Sequence, residues 1–366
     1  MTIASILEDM SDAVDDAKLA IAAKGGTVGD TGLAGLATEV ATIPSGGGGV
    51  SRPTTWAEFA AMTSANMQKC YGVGDRVGIT CPWISPSNNT QYANLIWEIA
   101  GFGTTKKEND NTEYPCVTLV ARLGTPGTYQ FDAPETPTAA TEETVQEGIY
   151  YFGFDGTNYT ALSLNTGDTI PYGDYTAVYK TDVTNNVAHY NDIRQYGYNV
   201  YKYSAVRQWL NSDAAANAWW ESQHIGDVAP NYASQAGFMK DLDSSFKAIL
   251  QRTEVVTAGN GATDDGSTYK TYDYLFLPSR YELYGTSSPV EGDRMPYFQL
   301  GGSNVRGLTA RGPVSAGYTG NWWERSANSG YAYKEYYVYS NGDPGSGNSA
   351  SNAYMVVAAC KIILAS

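Results

Sequence analysis

Apolar residues along positions 1–45 recur at alternating spacings of three and four, which is typical of a helix that packs against copies of itself. Gly25 and Gly26 separate two such helices, and Pro44 ends the second. Neither helix has enough large apolar residues for a core of its own. We therefore interpret residues 1–45 as a helical oligomerisation or docking segment; a helical pair folded onto the main body is the alternative. The expected contact residues are Ile3, Ile6, Met10, Leu33, Leu36 and Val40.

A run of four glycines at 46–49 follows this segment. Such a run is flexible, so we predict a linker at 46–52 that uncouples the helices from the rest of the chain. Residues 53–366 then form one large domain. It opens with a capping box of Thr55 and Glu58 at the start of an amphipathic helix.

Within that domain, apolar runs and alternating patterns between turn residues predict short strands. They lie at 73–79, 95–102, 116–123, 274–278 and 354–364. The last is apolar at nearly every position, which suits a central strand buried on both faces. Helices are predicted at 204–210, around 214–222 and at 242–250. Separate helices and strands in this order predict the α+β class.

A small β module interrupts the domain. An acidic, Thr-rich stretch with several prolines begins at Pro126, and we predict it to be loop as far as Glu147. Strands and turns follow from 148 to 179. The sequence therefore predicts an inserted loop and β module at 127–179.

The net charge of the chain is −15. Nucleic acids and anionic membrane surfaces bind clustered cations, and no such cluster is visible, so neither is an expected partner. We expect no secretory signal, because acidic residues occupy the N-terminal positions where a signal needs cations. We expect no membrane-spanning segment, because no apolar run is long enough.

Residues that commonly carry catalysis are scarce. The two histidines, His189 and His224, cannot build a three-imidazole metal site. Phosphate loops and the HExxH and GxSxG patterns are absent. The cysteines show no zinc-like spacing, so we interpret them as buried, reduced thiols. They are Cys70, Cys81, Cys116 and Cys360. We therefore expect no enzyme, no cofactor and no metal.

Two acidic turns, at 264–265 and 342–344, resemble calcium loops only superficially. Neither has regularly spaced oxygen ligands closed by a bidentate Glu. Turn formation is the better interpretation of both.

The most informative stretch runs from 318 to 352, where Tyr and Trp alternate with Ser, Gly and Asn. On a strand, the odd-numbered residues 331–339 would share one face. Rigid rings beside small polar groups favour binding of proteins or sugars, whereas a ladder packed under another layer would be core. We rank binding first, and tyrosine burial separates the two. The expected ligand-binding residues are Trp322, Trp323, Asn328, Tyr331, Tyr333, Glu335, Tyr337, Tyr339 and Asn341.

Four motifs in this half of the chain resemble a family of phage structural proteins. They are LPSRYE at 277–282, WERS at 323–326, NG at 341–342 and the closing strand at 356–362. The resemblance implies a C-type-lectin-like fold, related to formylglycine-generating enzymes and to the variable proteins of diversity-generating retroelements. The N-terminal helices and glycine joint are similar to attachment segments of phage tail and head-fibre proteins.

The chain departs from two branches of that fold. The Glu-Pro-Asn, Gln-Pro-Asp and Trp-Asn-Asp motifs of calcium-dependent lectins are missing, so calcium-mediated sugar capture is not implied. The enzymatic branch needs a reactive cysteine pair, and no second cysteine lies near Cys360 in the sequence.

The layout and the resemblance together imply a non-enzymatic virion protein: a tail-fibre, head-fibre or decoration protein, assembled in the host cytoplasm and displayed on the particle exterior. It would form a homotrimer, as such fibres often do, and dock on other virion proteins through residues 1–45. Its lectin-like head would bind host-surface glycan or protein. The alternatives are a purely architectural capsid or tail component and a glycan-active enzyme.

Overall fold

A computed structural model describes residues 50–87, 91–92, 94–134, 142–155, 158–171, 175–179, 190–223, 227–286, 289–300, 303–308 and 320–366. The predicted oligomerisation contacts, Ile3, Ile6, Met10, Leu33, Leu36 and Val40, lie outside these residues and stay predictions. The glycine run at 46–49 also lies outside them. Among the described residues, no helix combines the length and the apolar character needed to cross a bilayer.

Short helices and antiparallel strands make up the described chain, in agreement with the α+β class. The helices are α1 (Trp56–Ala60), α2 (Ser64–Cys70), α3 (Tyr190–Tyr196), α4 (Ala205–Leu210), α5 (Ser244–Lys247), α6 (Arg280–Tyr284), α7 (Tyr297–Leu300) and α8 (Ser303–Arg306), with a 3-10 turn at Tyr201–Tyr203. The first strands are β1 (Trp83–Ile84), β2 (Gln91–Tyr92), β3 (Trp97–Thr105), β4 (Tyr114–Ala121), β5 (Tyr129–Gln130), β6 (Glu142–Thr144), β7 (Ile149–Phe154), β8 (Tyr159–Ala161), β9 (Thr169–Pro171) and β10 (Tyr175–Tyr179). The later strands are β11 (Thr253–Ala258), β12 (Thr268–Asp273), β13 (Trp322–Ala327), β14 (Lys334–Val338), β15 (Asn348–Ser349), β16 (Ala353–Tyr354) and β17 (Ala359–Ile363).

The main core surrounds an antiparallel sheet with the order β17–β4–β3. Leu119 of β4 pairs with Cys360 of β17 on one side and with Ile99 of β3 on the other. The outer edge of β17 is covered by Phe276, whose backbone exchanges two hydrogen bonds with Ala359 at 2.8 and 2.9 Å. The closing strand is thus almost entirely buried, as its apolar sequence predicts.

Side-chain caps fix where several helices begin. Thr55 and Glu58 form the predicted capping box at α1. Ser279 and Glu282 form a second one at α6, and the Ser204 hydroxyl caps α4. Each cap satisfies amide groups that the first turn of a helix leaves unpaired, so these starts are encoded locally.

The strands predicted between 148 and 179 form at 149–154, 159–161, 169–171 and 175–179. They and β6 build two small sheets, β10–β7–β8 and β6–β9. Val145, Tyr151 and Ile170 form a buried cluster of their own there. The preceding stretch is not all loop as predicted, because β6 pairs residues 142–144 with β9.

The segment 214–222 forms turns instead of the predicted helix. Asn217 adopts a left-handed φ of 61°, which a helix interior does not accommodate. The Trp219 indole donates to Gln235 O at 2.8 Å and so ties the turn to a distant loop.

Two strand predictions also fail. Residues 73–79 make turns with one isolated bridge from Arg76 to Glu98. Residues 274–278 contribute only the Phe276 bridge, and the strands of that region are the β11–β12 hairpin. The helix predicted at 242–250 is shortened to α5.

Arg325 of β13 is completely buried and joins three other parts of the fold. Its Nη2 lies 2.8 Å from the Oε1 of Glu282 in α6. Its Nε donates to Thr257 Oγ1 at 3.2 Å and its Nη2 donates to Val256 O at 3.0 Å, both in β11. Its Nη1 donates to Leu277 O at 2.7 Å. This guanidinium therefore fixes β13, β11 and α6 relative to one another.

A cluster of buried carboxyl groups lies beside this pair. Glu335 of β14 is fully buried, and neither of its carboxyl oxygens has a hydrogen-bond partner within the described chain. Burial, and then the charges of Glu291 and Glu324, raise the pKa of Glu335 well above its ordinary value. Burial also raises the pKa of Glu291 to about 7, although the Arg325 charge opposes this. The folded protein therefore holds protons at these sites more tightly than the unfolded chain.

Replacing Arg325 by Met tests the buried ion pair. We expect Arg325→Met to lower the free energy of unfolding by roughly 3–5 kcal/mol, because it leaves the Glu282 carboxylate buried without its partner. The matched control is Lys270→Met, which breaks an exposed pair with Glu254 and should cost at most about 1 kcal/mol. Urea denaturation of both variants measures the difference. Equal losses would contradict a central role for Arg325.

Replacing Glu335 by Gln tests the buried carboxyl cluster. The pKa of Glu335 in the folded protein lies above the value for an unfolded Glu, which is about 4.3. The protonated carboxyl group therefore stabilises the fold fully below about pH 4.3, and this stabilisation is lost as the pH rises through the folded-state pKa. We expect the Tm of the unsubstituted chain to fall between about pH 5 and about pH 8. The Glu335→Gln variant should show a smaller fall, with a Tm a few degrees higher at the upper pH. Thermal unfolding across that range measures it. The control is Glu113→Gln at an exposed site, which should leave the dependence of the Tm on pH unchanged. An unchanged pH dependence in Glu335→Gln would refute the raised pKa of Glu335.

Candidate functional site

Four of the predicted ligand-binding residues lie in the core, so the prediction that they contact a ligand is wrong. Trp322, Trp323 and Glu335 are fully buried and Tyr337 nearly so. β13 is buried at every position because both of its faces are covered. The Trp323 indole donates to Tyr129 O at 2.8 Å, and the Trp322 indole donates to Arg306 O at 3.1 Å. These side chains hold the fold together rather than face a ligand.

The other five predicted residues lie at the two ends of β14. Asn328, Tyr331 and Tyr333 precede the strand, and Tyr339 and Asn341 follow it. Tyr331 and Tyr339 are 42% and 41% exposed, Asn341 is exposed, and Asn328 and Tyr333 are half-buried. The structure therefore divides the predicted site into two separate regions.

The turn after β14 uses its polar groups internally. Asn341 Nδ2 donates to Asp343 Oδ2 at 2.9 Å, and Asn341 Oδ1 accepts from the Asp343 backbone amide at 3.2 Å. The Tyr339 ring packs on Tyr337 with centroids 4.9 Å apart. Turn formation, as predicted for 342–344, accounts for these contacts.

Residues 328–334, which we call the tyrosine loop, present aromatic rings and a cation together. The rings of Tyr331 and Tyr333 meet edge to face at 5.6 Å. Lys334 Nζ lies 3.7 Å from the Tyr331 ring centroid, within cation–π range. On the other side, Tyr196 of α3 packs on Tyr333 at 4.7 Å. The loop thus offers a compact surface of preformed rings.

A polar cavity of about 320 Å³ lies next to this loop, and we call it the Lys202 pocket. Its lining residues come from the 3-10 turn and from the β11–β12 hairpin. They are Lys202, Gly259, Thr263, Asp264, Asp265, Ser267 and Tyr269. Asp265 and Ser267 are exposed, so the cavity opens to the surface.

Lys202 is held in place by two tyrosine rings. Its Nζ lies 4.6 Å from the Tyr203 centroid and 4.9 Å from the Tyr269 centroid. Its backbone amide donates to the Tyr269 hydroxyl at 3.2 Å. Within the described chain, its ammonium group makes no ion pair closer than 4.0 Å. The rings therefore orient a cation that keeps its hydrogen-bond donors for a ligand.

The acidic side of the pocket holds two carboxyl groups in different environments. Burial raises the pKa of Asp264, although the Lys202 charge opposes this. Hydrogen bonds from Ser267 lower the pKa of Asp265, whose Oδ1 accepts from the Ser267 amide at 2.8 Å. Gly259 makes room for Asp264, because a Cβ on Gly259 would lie only 3.1 Å from the Asp264 Cβ.

Two buried asparagines join the pocket to the tyrosine loop, and we call them the asparagine bridge. Asn199 Nδ2 donates to the carbonyls of Tyr331 and Lys334, each at 2.7 Å. Asn260 Nδ2 donates to Asn199 Oδ1 at 2.8 Å, and Asn260 Oδ1 accepts from the Thr263 amide at 2.7 Å. The two loops are therefore parts of one hydrogen-bonded unit.

The arrangement is suited to binding a polar ligand. It offers an ammonium donor, carboxylate acceptors, small hydroxyls and ring faces. The described residues contain no group of three or more His, Cys, Asp or Glu placed to hold a metal ion. All four cysteines are free and buried, as predicted, and burial raises the pKa of Cys81 to about 12. Burial raises the pKa of Cys360, and the nearby Cys81 thiol raises it further. The spacing of these two cysteines in the sequence does not reveal that they are neighbours.

Sequence patterns do not identify most of this site. Asp264 and Asp265 are expected only as turn residues, and Asn199, Lys202 and Tyr269 carry no motif. The one local signal is the cluster of tyrosines around Lys202 at 196–203. Nothing in the sequence shows that residues near 200, 260 and 330 meet.

A family model described as a domain of unknown function, DUF6273, matches residues 174–363. This range includes the Lys202 pocket, the asparagine bridge and the tyrosine loop. No curated protein and no solved structure matches the chain.

Replacing Asn199 by Ala tests the asparagine bridge. We expect a loss of stability of about 1–3 kcal/mol, because the buried Asn260 amide loses its Asn199 acceptor and the carbonyls of Tyr331 and Lys334 lose the Asn199 donor. Amide exchange should accelerate in 328–334 and 259–264 together, while the β17–β4–β3 sheet stays protected. Hydrogen exchange read by mass spectrometry measures this, with the exposed Asn158→Ala variant as control. Acceleration in only one loop would mean that the bridge does not couple them.

Proposed function

The chain belongs to the DUF6273 family, and we propose that it is a non-enzymatic phage virion protein, a fibre or decoration protein that binds host-surface glycan or protein. The binding surface is the Lys202 pocket together with the tyrosine loop. One observation carries this proposal: exposed rings and an ammonium without an ion pair in the described chain lie beside a polar cavity, and a buried bridge holds both parts.

The head is proposed to have a C-type-lectin-like fold. Three features support this: the buried WERS strand, the capped helix that follows the Leu-Pro-Ser turn at 277–279, and the closing strand inside the core sheet. The same motifs carry the resemblance to phage structural proteins. Residues 1–45 are proposed to hold three copies together and to dock them on other virion proteins, which places the head on the particle exterior.

An architectural role without a ligand is the second candidate. The observation that favours it is the burial of Trp322, Trp323 and Tyr337, which shows that much of the aromatic content of this region serves packing. The two candidates differ at the tyrosine loop, because packing of the core does not require an exposed Tyr331.

Removing the rings of the tyrosine loop separates the two candidates. We expect Tyr331→Ala combined with Tyr333→Ala to weaken adsorption of the purified chain to host cells at least tenfold, a change of about 1.4 kcal/mol, because ring contacts dominate such surfaces. The control is Tyr150→Ala, which removes a ring of 39% exposure from the β module.

A Tm close to that of the unsubstituted chain shows that the double variant folds. Unchanged adsorption by a folded double variant would favour the architectural role. Release of soluble sugar from host polysaccharide during the same incubation would instead indicate a glycan-active enzyme.

A further inference from the structure

We infer that the Lys202 pocket binds a single neutral sugar residue, with Lys202 donating to one ring hydroxyl and Asp264 accepting from a neighbouring one. This inference rests on the proposed function and narrows its ligand to an uncharged glycan.

The volume of the pocket limits the size of the ligand. At about 320 Å³ it lies at the lower end of small-molecule pockets, which run from roughly 300 to 1,000 Å³. A protein ligand could place one side chain there. A glycan could place one terminal residue there while the next residues extend over the tyrosine loop.

The polar groups of the pocket match a hydroxyl-rich ligand. Lys202 supplies N–H donors only, and ionised Asp264 and Asp265 supply acceptors only. A hydroxyl group both donates and accepts, so two adjacent hydroxyls can satisfy the ammonium and a carboxylate at once. The Thr263 hydroxyl already bonds Asn260 Oδ1 at 3.2 Å and the Tyr198 hydroxyl at 2.9 Å, and the Ser267 hydroxyl bonds Asp265, so these two groups fix the pocket wall.

The charges of the pocket argue against ionic ligands. The carboxylates of Asp264 and Asp265 repel an anion such as a uronic or sialic acid, and the chain as a whole carries −15. A cation such as a free amino sugar would have to share the ring faces of Tyr203 and Tyr269 with the Lys202 ammonium, which already lies 4.6 and 4.9 Å from their centroids. A neutral sugar escapes both penalties. The faces of Tyr203 and Tyr269 are already close to the Lys202 ammonium, which keeps the donor in position before the ligand arrives.

Titration of the full-length chain with methyl glycosides tests the inference. The probes are the methyl glycosides of glucose, galactose, mannose and N-acetylglucosamine, compared with glucuronate and N-acetylneuraminate. We expect at least one neutral probe to bind tenfold or more tightly than either anion. We expect Lys202→Met and, separately, Asp264→Asn to weaken it at least tenfold. Isothermal titration calorimetry gives the Kd values, and the Lys240→Met and Asp168→Asn variants, with substitutions at exposed sites outside the pocket, are the controls.

The inference is overturned if an anionic probe binds more tightly than every neutral one, or if no neutral probe binds. It is also overturned if both pocket variants keep the Kd of the unsubstituted chain. Asp264→Asn preserves shape, so it keeps the test valid even where Lys202→Met unfolds. Adsorption to host cells, measured in parallel, separates this inference from the proposed function. Adsorption that no neutral probe inhibits refutes the sugar alone, whereas sugar binding without adsorption refutes the role in host attachment.

Discussion

The fold of the C-terminal half depends on one buried ion pair, that of Arg325 with Glu282. A guanidinium without solvent is tolerated only when its donors are satisfied, and here β11, α6 and the 277 turn all supply acceptors. This constraint fixes β11 next to β13. The loops that leave these two strands, at 259–267 and 328–334, therefore emerge side by side and form the candidate site.

Above that pair, the asparagine bridge turns two neighbouring loops into one surface. Asn199 comes from a third segment and reaches both. The division of roles is clear: Trp322, Trp323 and Tyr337 pack the core, while Tyr331, Tyr333 and Lys202 face outward or into the pocket. The groups proposed to bind a ligand therefore stand on loops whose bases are fixed by buried polar contacts, which reduces the ordering that a ligand would have to cause.

Elements whose signals are local could be predicted from the sequence. The capping box at Thr55, the strands around 97–105 and 114–121, and the closing strand follow from residues within a few positions of each other. The alternation in 331–339 correctly placed Glu335 and Tyr337 on one face, but period-two alternation does not say whether that face points to solvent or to the core. A buried Glu335 with no hydrogen-bond partner among the described residues contradicts the usual preference of carboxylates for water, so only tertiary structure reveals it. The candidate site joins segments some 60 to 130 residues apart, as the Asn199 contacts to Asn260 and Tyr331 show, and no local rule links them.

The Lys202 pocket and the tyrosine loop are proposed to act as one ligand site. NMR of the chain with 13C-labelled tyrosine, titrated with neutral oligosaccharides released from host polysaccharide, tests it most directly. We expect shifts for the ring signals of Tyr203, Tyr269 and Tyr331 at the same ligand concentration, with the buried Tyr201 and Tyr150 of the β module unchanged. Shifts centred on Tyr150, or shifts of the pocket tyrosines without Tyr331, would contradict it.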